Sequence, residues 1–342
     1  MQDLFYKSIF QGYLQFRNAK SYQKMLDMYN YRVENFYKNE LALKESAHFD
    51  EEKLSYIVPR TVVQVTKKAW RNTVGIFEYL AEFAISGSIG AWMVDEGTIL
   101  EAAMIEPVGD KIAVQAFLRG RALSDEEGSE NEAIKALTEA IEKFDKHAQA
   151  YERRGYVNMR LGNWEDAHYD FSKSLRLDEG NSYAYIGRAH LYMQKKQYKE
   201  AIADLRMATT TSIALQPIYW TATRMRAQCY AQSNLIDKAL FDYKLFVNRD
   251  FPPDHPNYKW LKYACFQYAK LLHEQNKNAE ALKVVEKGEK LKNAQHPVDD
   301  AEWYLLSGEI KKALGVAGYA SDFEKAASAG SKQANALLST LK

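Results

Sequence analysis

The stretch of sequence that decides the fold lies between residues 151 and 205, where blocks of similar residues recur. Tyr151-Glu-Arg-Arg-Gly155 is matched further on by Tyr185-Ile-Gly-Arg-Ala189, at an offset of 34 in the numbering. Gly162-Asn-Trp-Glu-Asp-Ala167 is matched by Lys196-Gln-Tyr-Lys-Glu-Ala201 at the same offset. Because both pairs of blocks keep one offset, we interpret them as two copies of a single structural unit.

Small residues continue the same repeat along the rest of the chain. The marker in the first half of each unit runs Gly120, Gly155, Ala189, Ala227, Ala269, Gly308, and the marker in the second half runs Ala133, Ala167, Ala201, Ala239, Ala281, Ala320. From the second unit onward both markers advance together along the numbering, in steps of 34, 38, 42 and 39. Additional residues therefore lie between units and not inside them. The first unit is the exception, because the acidic loop after Ser124 contains one residue more than the matching loop of the other units.

Each half of the unit has the apolar periodicity of a helix. Tyr185, Arg188, Ala189 and Tyr192 recur at helical spacing in the first half of the third unit. The small markers allow two helices to approach each other closely. A single helix pair cannot bury its apolar stripe alone, so neighbouring pairs are expected to stack.

A small residue, a turn and a second small residue twelve positions on, at a period of 34, resembles the tetratricopeptide repeat family. The resemblance covers about six units between residues 114 and 330. It implies an all-α fold, a right-handed solenoid of paired antiparallel helices. Residues 331–342 are expected to form a capping helix with Ala334, Leu337, Leu338 and Leu341 on one face.

Residues 1–113 do not keep the repeat and are expected to form a separate, aromatic-rich and mainly helical region. Phe5 to Asn39 is interpreted as one or two helices. Phe83 to Ile105 fits either a small β-hairpin around Gly97 or a loop followed by a helix capped by Thr98, and the helix is favoured. Pro107-Val-Gly109 then marks the boundary before the repeats.

Composition and charge exclude several classes of function. The chain has 46 basic and 45 acidic residues, so it has no overall attraction to nucleic acid or to an anionic membrane. The N-terminus lacks the pattern of a secretory signal, and the longest uncharged apolar run, Phe83 to Val94, is too short to span a bilayer as a helix. Cys229 and Cys265 have no metal-ligand spacing. A cytoplasmic protein is expected.

Arginine and aspartate occur together at fixed positions in the repeats. Arginine precedes the first marker in four units, and aspartate follows the second marker by three residues in three of them. The fifth and sixth units lack both residues, which indicates that the two groups touch. We therefore expect structural ion pairs within the repeats, in preference to anion-binding arginines: Arg154 with Asp170, Arg188 with Asp204, and Arg226 with Asp242.

The resemblance implies that ligands bind the concave surface, which the first helices of the units line. A helical wheel assigns to this groove the residues Tyr156, Met159, Arg160, Ile186, His190, Met193, Arg224, Gln228, Phe266, Lys270 and His273. The alternative is that some of them pack against the N-terminal region. The carboxylate clamp of chaperone-binding relatives is not matched, because Glu152, Tyr156, Gly187 and Met225 stand at its positions.

No catalytic or cofactor motif is recognised. Gly87-Ser-Ile-Gly90 lacks the spacing and the lysine of a phosphate loop, and the histidines do not form a zinc-binding helix motif. The leading hypothesis is a non-enzymatic scaffold or adaptor that binds a peptide or protein segment in the groove. The alternative is a structural component that self-associates or docks through residues 1–113. A third hypothesis, an enzyme within residues 40–113, has no motif to support it.

Overall fold

The computed structural model describes residues 4–37, 40–43, 48–291 and 298–340. The expectations for Asn39 and Leu341 lie outside these ranges. The chain forms two compact units, Met1–Arg188 and Ala189–Lys342.

The first unit begins with a five-stranded antiparallel sheet in the order β2-β3-β1-β4-β5. Two helices interrupt the strands in sequence, α1 between β1 and β2, and α2 between β3 and β4. The bounds are β1 Phe5–Gln15, α1 Ala19–Asn35, β2 Phe49–Asp50, β3 Ser55–Thr66, α2 Lys67–Ala81, β4 Ser86–Asp95 and β5 Thr98–Ile105.

Aromatic side chains form the core between this sheet and its helices. Phe10, Leu14 and Tyr56 of the strands are fully buried, and they share one cluster with Met25 of α1 and Phe77 of α2. Both helices have a capping side chain at the N-terminus, because Asn18 accepts from the Ser21 amide and Thr66 accepts from the Ala69 amide. Several tyrosine and phenylalanine residues of the N-terminal region therefore lie in this core.

The structure corrects the expectation of a mainly helical N-terminal region. The hairpin around Gly97 is confirmed as β4 and β5, whereas the favoured helix after Thr98 is wrong, because β5 begins there. The interpretation of Phe5 onward as helix is also wrong up to Gln15, which ends β1. Neighbouring residues Ile9 and Phe10 are both buried, so β1 lacks the strict alternation that identifies a strand in sequence.

In the part of the chain that the structure describes, six consecutive helix pairs and a final helix follow the sheet. In the first unit they begin with α3 Ile112–Ser124, α4 Glu130–Lys143, α5 Ala148–Arg160 and α6 Trp164–Leu177. Helix α7, Ser182–Gln194, crosses into the second unit. The second unit continues with α8 Tyr198–Thr211, α9 Pro217–Gln232, α10 Ile236–Asn248, α11 Leu261–Glu274, α12 Asn278–Glu289, α13 Asp300–Ala313, α14 Tyr319–Ser328 and α15 Lys332–Ser339.

The turns inside the pairs recur with the same steps as the small markers. A residue with left-handed backbone ends the first helix of successive pairs at Gly162, Lys196, Asn234, Asn276 and Gly315. Such a residue is the common way to end a helix tightly. The markers themselves are fully buried at Ala189, Ala227 and Ala269. The tetratricopeptide-type helical fold expected from the sequence is thus confirmed.

The last helix, α15, continues the packing of the final pair. Its N-cap is Ser331, whose side chain accepts a hydrogen bond from the Ala334 amide. Ala334 is fully buried against Phe323 and Ala326 of α14. Helix α15 lies where the capping helix was expected. Its role as a cap stays a prediction.

Candidate functional site

Polar and flexible side chains lie on accessible positions of the first helices in the second unit. His190 and Met193 of α7, Gln228 of α9 and His273 of α11 are half-buried, and Lys270 of α11 is exposed. His273 is held in place, since its Nδ1 lies 2.6 Å from Oδ1 of Asn278. These five residues were predicted to line the groove, and each keeps part of its surface exposed. We call them the open row.

Two apolar residues predicted for the groove are buried instead. Ile186 is 7% exposed and Phe266 is 7% exposed. The Phe266 ring stacks on the Trp303 ring with 6.3 Å between the ring centroids. Phe266 therefore belongs to the core that joins α11 to α13, where a helical wheel cannot distinguish it from a groove residue.

Three other groove residues predicted in the first unit, Tyr156, Met159 and Arg160, lie on α5, and two of them contact neighbouring helices. Tyr156 donates its hydroxyl to the Tyr183 carbonyl oxygen at 2.7 Å, and its ring meets the Phe171 ring edge-on. Met159 is half-buried, and the Arg160 guanidinium is 3.9 Å from Glu130. Tyr156 therefore ties α5 to the start of α7.

The N-terminal region contacts the repeats through residues outside the predicted groove set. The Gly87 amide of β4 donates to the Gln149 side chain of α5 at 3.0 Å. Ile85 packs against Ala113 and Val114 of α3. The described contact between α5 and this region is made by Gln149, whereas those of Tyr156 and Arg160 run to Tyr183 and Glu130. The alternative that some groove residues pack against the N-terminal region stays a prediction.

Two charged side chains on the first helices are buried without full compensation. Glu152 of α5 is 5% exposed, and its Oε1 has no hydrogen-bond partner. Its Oε2 lies 3.8 Å from the Arg153 guanidinium, which is too long for a hydrogen bond. Burial raises the pKa of Glu152 from 4.5 to about 7, against the opposing effect of Arg153.

Arg224 of α9 is the second buried charge, with 6% of its surface exposed. The centre of its guanidinium lies 3.9 Å from the centroid of the Trp260 ring, and its Nε has no hydrogen-bond partner. Burial lowers the pKa of Arg224 to about 10, and the tyrosines Tyr243 and Tyr263 partly oppose the shift. Burial and the nearby Arg224 charge lower the pKa of His190, whose Nδ1 also lacks a partner. We call Arg224, His190, Trp260 and Tyr263 the Arg224 cluster.

Two of the three predicted arginine–aspartate pairs are confirmed as ion pairs inside the helix pairs, and the pair of Arg188 with Asp204 stays a prediction. Arg154 makes two hydrogen bonds to the Asp170 carboxylate, at 3.0 and 2.8 Å. Arg226 makes two to Asp242, at 2.7 and 2.9 Å. In the middle repeat the described hydrogen bond of Arg188 runs to the Ser172 hydroxyl, and both Arg188 and Asp204 take part in further interactions.

Equivalent bridges exist in repeats where the sequence pattern is broken. Arg119 of the first pair binds Glu139 of α4. In the sixth pair the Ser307 hydroxyl and the Lys311 ammonium both donate to Asp322, at 2.7 and 2.5 Å. These bridges do not follow the sequence pattern, because the acid has moved along its helix while the contact between the helices is kept.

Trp260 and Tyr263 of the Arg224 cluster were also missed. They lie at the end of the insertion before the fifth repeat, where a short 3-10 helix spans Tyr258–Trp260 and runs into α11. This insertion has no counterpart in the other repeats. Its residues could therefore not be assigned to a face of the repeat by their distance from the small markers. Its aromatic density, Tyr258-Lys-Trp260-Leu-Lys-Tyr263, was the available signal.

Metal-binding clusters, thiols and membrane-spanning helices were sought among the described residues. Over residues 4–37, 40–43, 48–291 and 298–340, His, Cys, Asp and Glu form no cluster that could hold a metal ion. Both cysteines are free and buried, and burial raises the pKa of each thiol to about 12. None of the helices described has the length and apolar character needed to cross a bilayer.

Comparison with known proteins agrees with this repeat structure. Two family models, both described as tetratricopeptide repeat, match residues 148–181 and 182–211. YrrB, described as a TPR protein with an unusual peptide-binding site, shares the fold with a TM-score of 0.50 at 20% identity, covering 61% of this chain and all of that one. PilF of Pseudomonas aeruginosa has a TM-score of 0.51 at 18% identity, covering 65% of this chain and 90% of that one.

Curated relatives match only over the repeats. DnaJ homolog subfamily C member 7 of Homo sapiens is 35% identical over 82 residues, which are 23% of this chain and 17% of that protein. Neutrophil cytosol factor 2 of Mus musculus is 31% identical over 109 residues, 32% of this chain and 21% of that protein. The chain thus spans about a fifth or less of these relatives. Residues 148–211 therefore match tetratricopeptide repeats, and the helix pairs before and after them continue the same fold.

Proposed function

We propose that this protein is a non-enzymatic adaptor that binds a peptide or protein segment along the first helices of its repeats. The observation that carries the proposal is the open row of the second unit, where His190, Met193, Gln228, Lys270 and His273 stay accessible. A methionine with flexible polar neighbours adapts to an extended or helical segment. YrrB, which shares the fold, is described as having a peptide-binding site.

The chemistry of the described residues supports an adaptor in preference to an enzyme. Thiols with raised pKa values are poor nucleophiles, because the thiolate is the reactive form. The proposed compartment is the cytoplasm, where two free cysteines such as Cys229 and Cys265 are ordinary.

Negative charge placed on the open row is expected to release the partner. Met193→Glu combined with Lys270→Glu should weaken capture about tenfold or more, because interface positions that matter cost over ~1 kcal/mol each. The measurement is quantitative mass spectrometry of proteins that co-purify with the full chain. The matched control is Met207→Glu with Lys244→Glu, since these residues are exposed on the second helices α8 and α10. Equal losses in both variants would place the binding surface elsewhere.

A second function, docking through the N-terminal region, is favoured by the edge of its sheet. Strand β5 lies at one end of the strand order and pairs with β4 on one side. Ile99, Leu100 and Met104 are exposed on it, at 39%, 46% and 56%. An edge strand with exposed apolar side chains is a template for pairing with another chain. We propose self-association or assembly through this edge as the alternative.

Light scattering on the full chain tests this alternative. The unchanged protein is expected to have a mass above that of the monomer at high concentration, and Leu100→Lys with Met104→Lys should return it to the monomer, because buried charge opposes strand pairing. Leu235→Lys with Val316→Lys is the control, as both residues are exposed in the repeats. A monomeric mass for the unchanged chain at every concentration would rule out self-association through β5.

A further inference from the structure

One face of the five-stranded sheet packs against helices α1 and α2, and the opposite face does not. On the packed face, Phe10 of β1 and Met93 of β4 share a core cluster with Met25 of α1 and Phe77 of α2. Side chains alternate between the two faces along each strand, so the residues next to Phe10 and Met93 lie on the opposite face. We call this opposite side of the sheet the outer face.

An apolar strip crosses four strands on the outer face. Ile9 of β1 pairs with Val62 of β3 on one side and with Trp92 of β4 on the other. Trp92 in turn pairs with Ala102 of β5. Neighbouring strands are about 4.8 Å apart, so the strip is about 14 Å long.

The middle of this strip is recessed between exposed residues. Ile9 and Trp92 are each 8% exposed, whereas Val62 is 52% exposed and Met104 of β5 is 56% exposed. The Trp92 ring lies over Gly90, the residue that pairs with Met104, because a Cβ added at Gly90 would overlap the ring. The outer face is thus a shallow groove with an aromatic floor and apolar rims, and exposed apolar surface of this kind marks an interaction site.

The charges on the outer face have one sign. Lys7, two residues before Ile9 on β1, is exposed. The exposed Arg60 reaches the same face, since its Nε donates to the Gln11 side chain at 3.0 Å. Among the described residues of β1, β3, β4 and β5, none that alternates onto this face is Asp or Glu, and Glu101 of β5 lies on the packed face, where it pairs with cations of α2. A complementary partner therefore carries acidic residues beside an apolar strip.

The hydrogen bonding of the sheet favours a helix as the bound segment. The backbone groups of the central strands β1 and β4 already pair with their neighbours within the sheet. An extended segment laid on this face would leave its own N–H and C=O groups unpaired against apolar side chains, whereas a helix pairs them internally. A lipid bilayer is disfavoured, because tryptophan in a membrane-binding surface projects to the interface and Trp92 is recessed.

We propose that the outer face docks an amphipathic helix of a partner protein, with apolar residues on one side and Asp or Glu beside them. The apolar ridge of this helix lies on Ile9 and Trp92, and its acids lie near Lys7 and Arg60. This surface goes beyond the proposed function, because it is separate from the open row and uses the face of the sheet instead of strand pairing along β5.

A phage library of helix-forming peptides tests the outer face on the full chain. Each 15-residue peptide has Leu, Ile, Met or Phe at helical spacing on one side, and equal amounts of Glu, Lys and Gln at the flanking positions. We expect Glu to exceed Lys by threefold or more in the retained peptides. Val62→Gln, which changes no charge, should weaken the synthesised peptides about fivefold or more, whereas Leu235→Gln, an exposed leucine of the repeats, is the control.

Reversal of the charges on the outer face should reverse the preference. In Lys7→Glu with Arg60→Glu, the Glu-flanked peptides should bind about three- to tenfold less tightly, and Lys-flanked counterparts should bind more tightly than to the unchanged protein, because two exposed charge pairs change sign. Lys199→Glu with Lys283→Glu is the matched control, since it makes the same change in net charge at exposed positions of α8 and α12. All of these variants should keep the melting temperature of the unchanged protein.

The outcomes distinguish the outer face from the other surfaces. Peptides that lose affinity in Met193→Glu with Lys270→Glu, but not in Val62→Gln, would support the open row and overturn docking on the outer face. Retained peptides without an excess of Glu over Lys, or no retained peptide, would also overturn it. Two further results would assign the face to another occupant and overturn it. One is binding to vesicles of equal parts phosphatidylcholine and phosphatidylserine that Lys7→Glu with Arg60→Glu abolishes, and the other is an oligomeric mass that Val62→Gln returns to the monomer.

Discussion

Asp170→Ala is expected to lower the free energy of unfolding by about 3 kcal/mol, because it leaves the partly buried Arg154 without its partner. Asp170 is 1% exposed and accepts hydrogen bonds from both Arg154 and Asn158. Arg154 also donates to Thr138 of the preceding repeat at 3.0 Å, so the loss extends beyond one helix pair. Circular dichroism during urea unfolding measures the total, and hydrogen exchange of α5 and α6 measures the local effect.

Replacing both partners should restore most of the stability. Burial raises the pKa of Asp170 in spite of the adjacent guanidinium, which indicates that desolvation offsets much of the attraction within the pair. We therefore expect Arg154→Met combined with Asp170→Leu to be more stable than Asp170→Ala. Asp166→Ala, an exposed change in the first turn of α6, is the control and should cost about 1 kcal/mol or less. A double variant as unstable as the single one would contradict this account.

The repeat architecture could be predicted because its cause is periodic in sequence. Small residues are required wherever two helices cross closely, so Gly155 and Ala189 recur with the spacing of the helix pairs. Added Cβ atoms at Gly155 would press on the Phe171 ring, which shows why that position stays small. The arginine–aspartate contact could also be predicted, because the two residues are present together or absent together in most of the repeats. Burying one of them without the other would be costly.

Strand β4 could not be predicted from local pattern, because it is buried on both of its faces. In β4, Ile89, Ala91 and Met93 face the helices, yet Trp92 and Val94 on the other face are also buried. Such a segment has no alternation, so its sequence is compatible with helix or strand. The burial of Phe266 and Arg224 could not be predicted for a related reason. Trp303 covers Phe266 and Trp260 covers Arg224, and both tryptophans come from other elements of the chain.

Glu152→Gln is expected to stabilise the protein at pH 8 by roughly 3 kcal/mol, and to leave its stability at pH 4.5 nearly unchanged. The carboxyl group has a pKa of about 7 in the folded chain and 4.5 when exposed, a difference that corresponds to roughly 3 kcal/mol. A raised acid pKa means that the folded state binds the proton more tightly. The favourable contribution is therefore complete below pH 4.5 and is lost as the pH rises through about 7. Glutamine keeps a neutral group of the same shape at every pH.

The difference between the two unfolding profiles isolates Glu152 from other groups that titrate in this range. Burial also raises the pKa of Asp178 to about 6, so the unchanged protein should lose stability from two carboxyl groups between about pH 4 and 7. Subtracting the Glu152→Gln profile removes the Asp178 contribution, which both proteins share. Urea unfolding at intervals from pH 4.5 to 8 provides the profiles, with exposed Glu142→Gln as the control. If the difference in unfolding free energy between the two proteins does not change with pH, the Glu152 carboxylate is solvated in the folded protein. That result would contradict the raised pKa of Glu152.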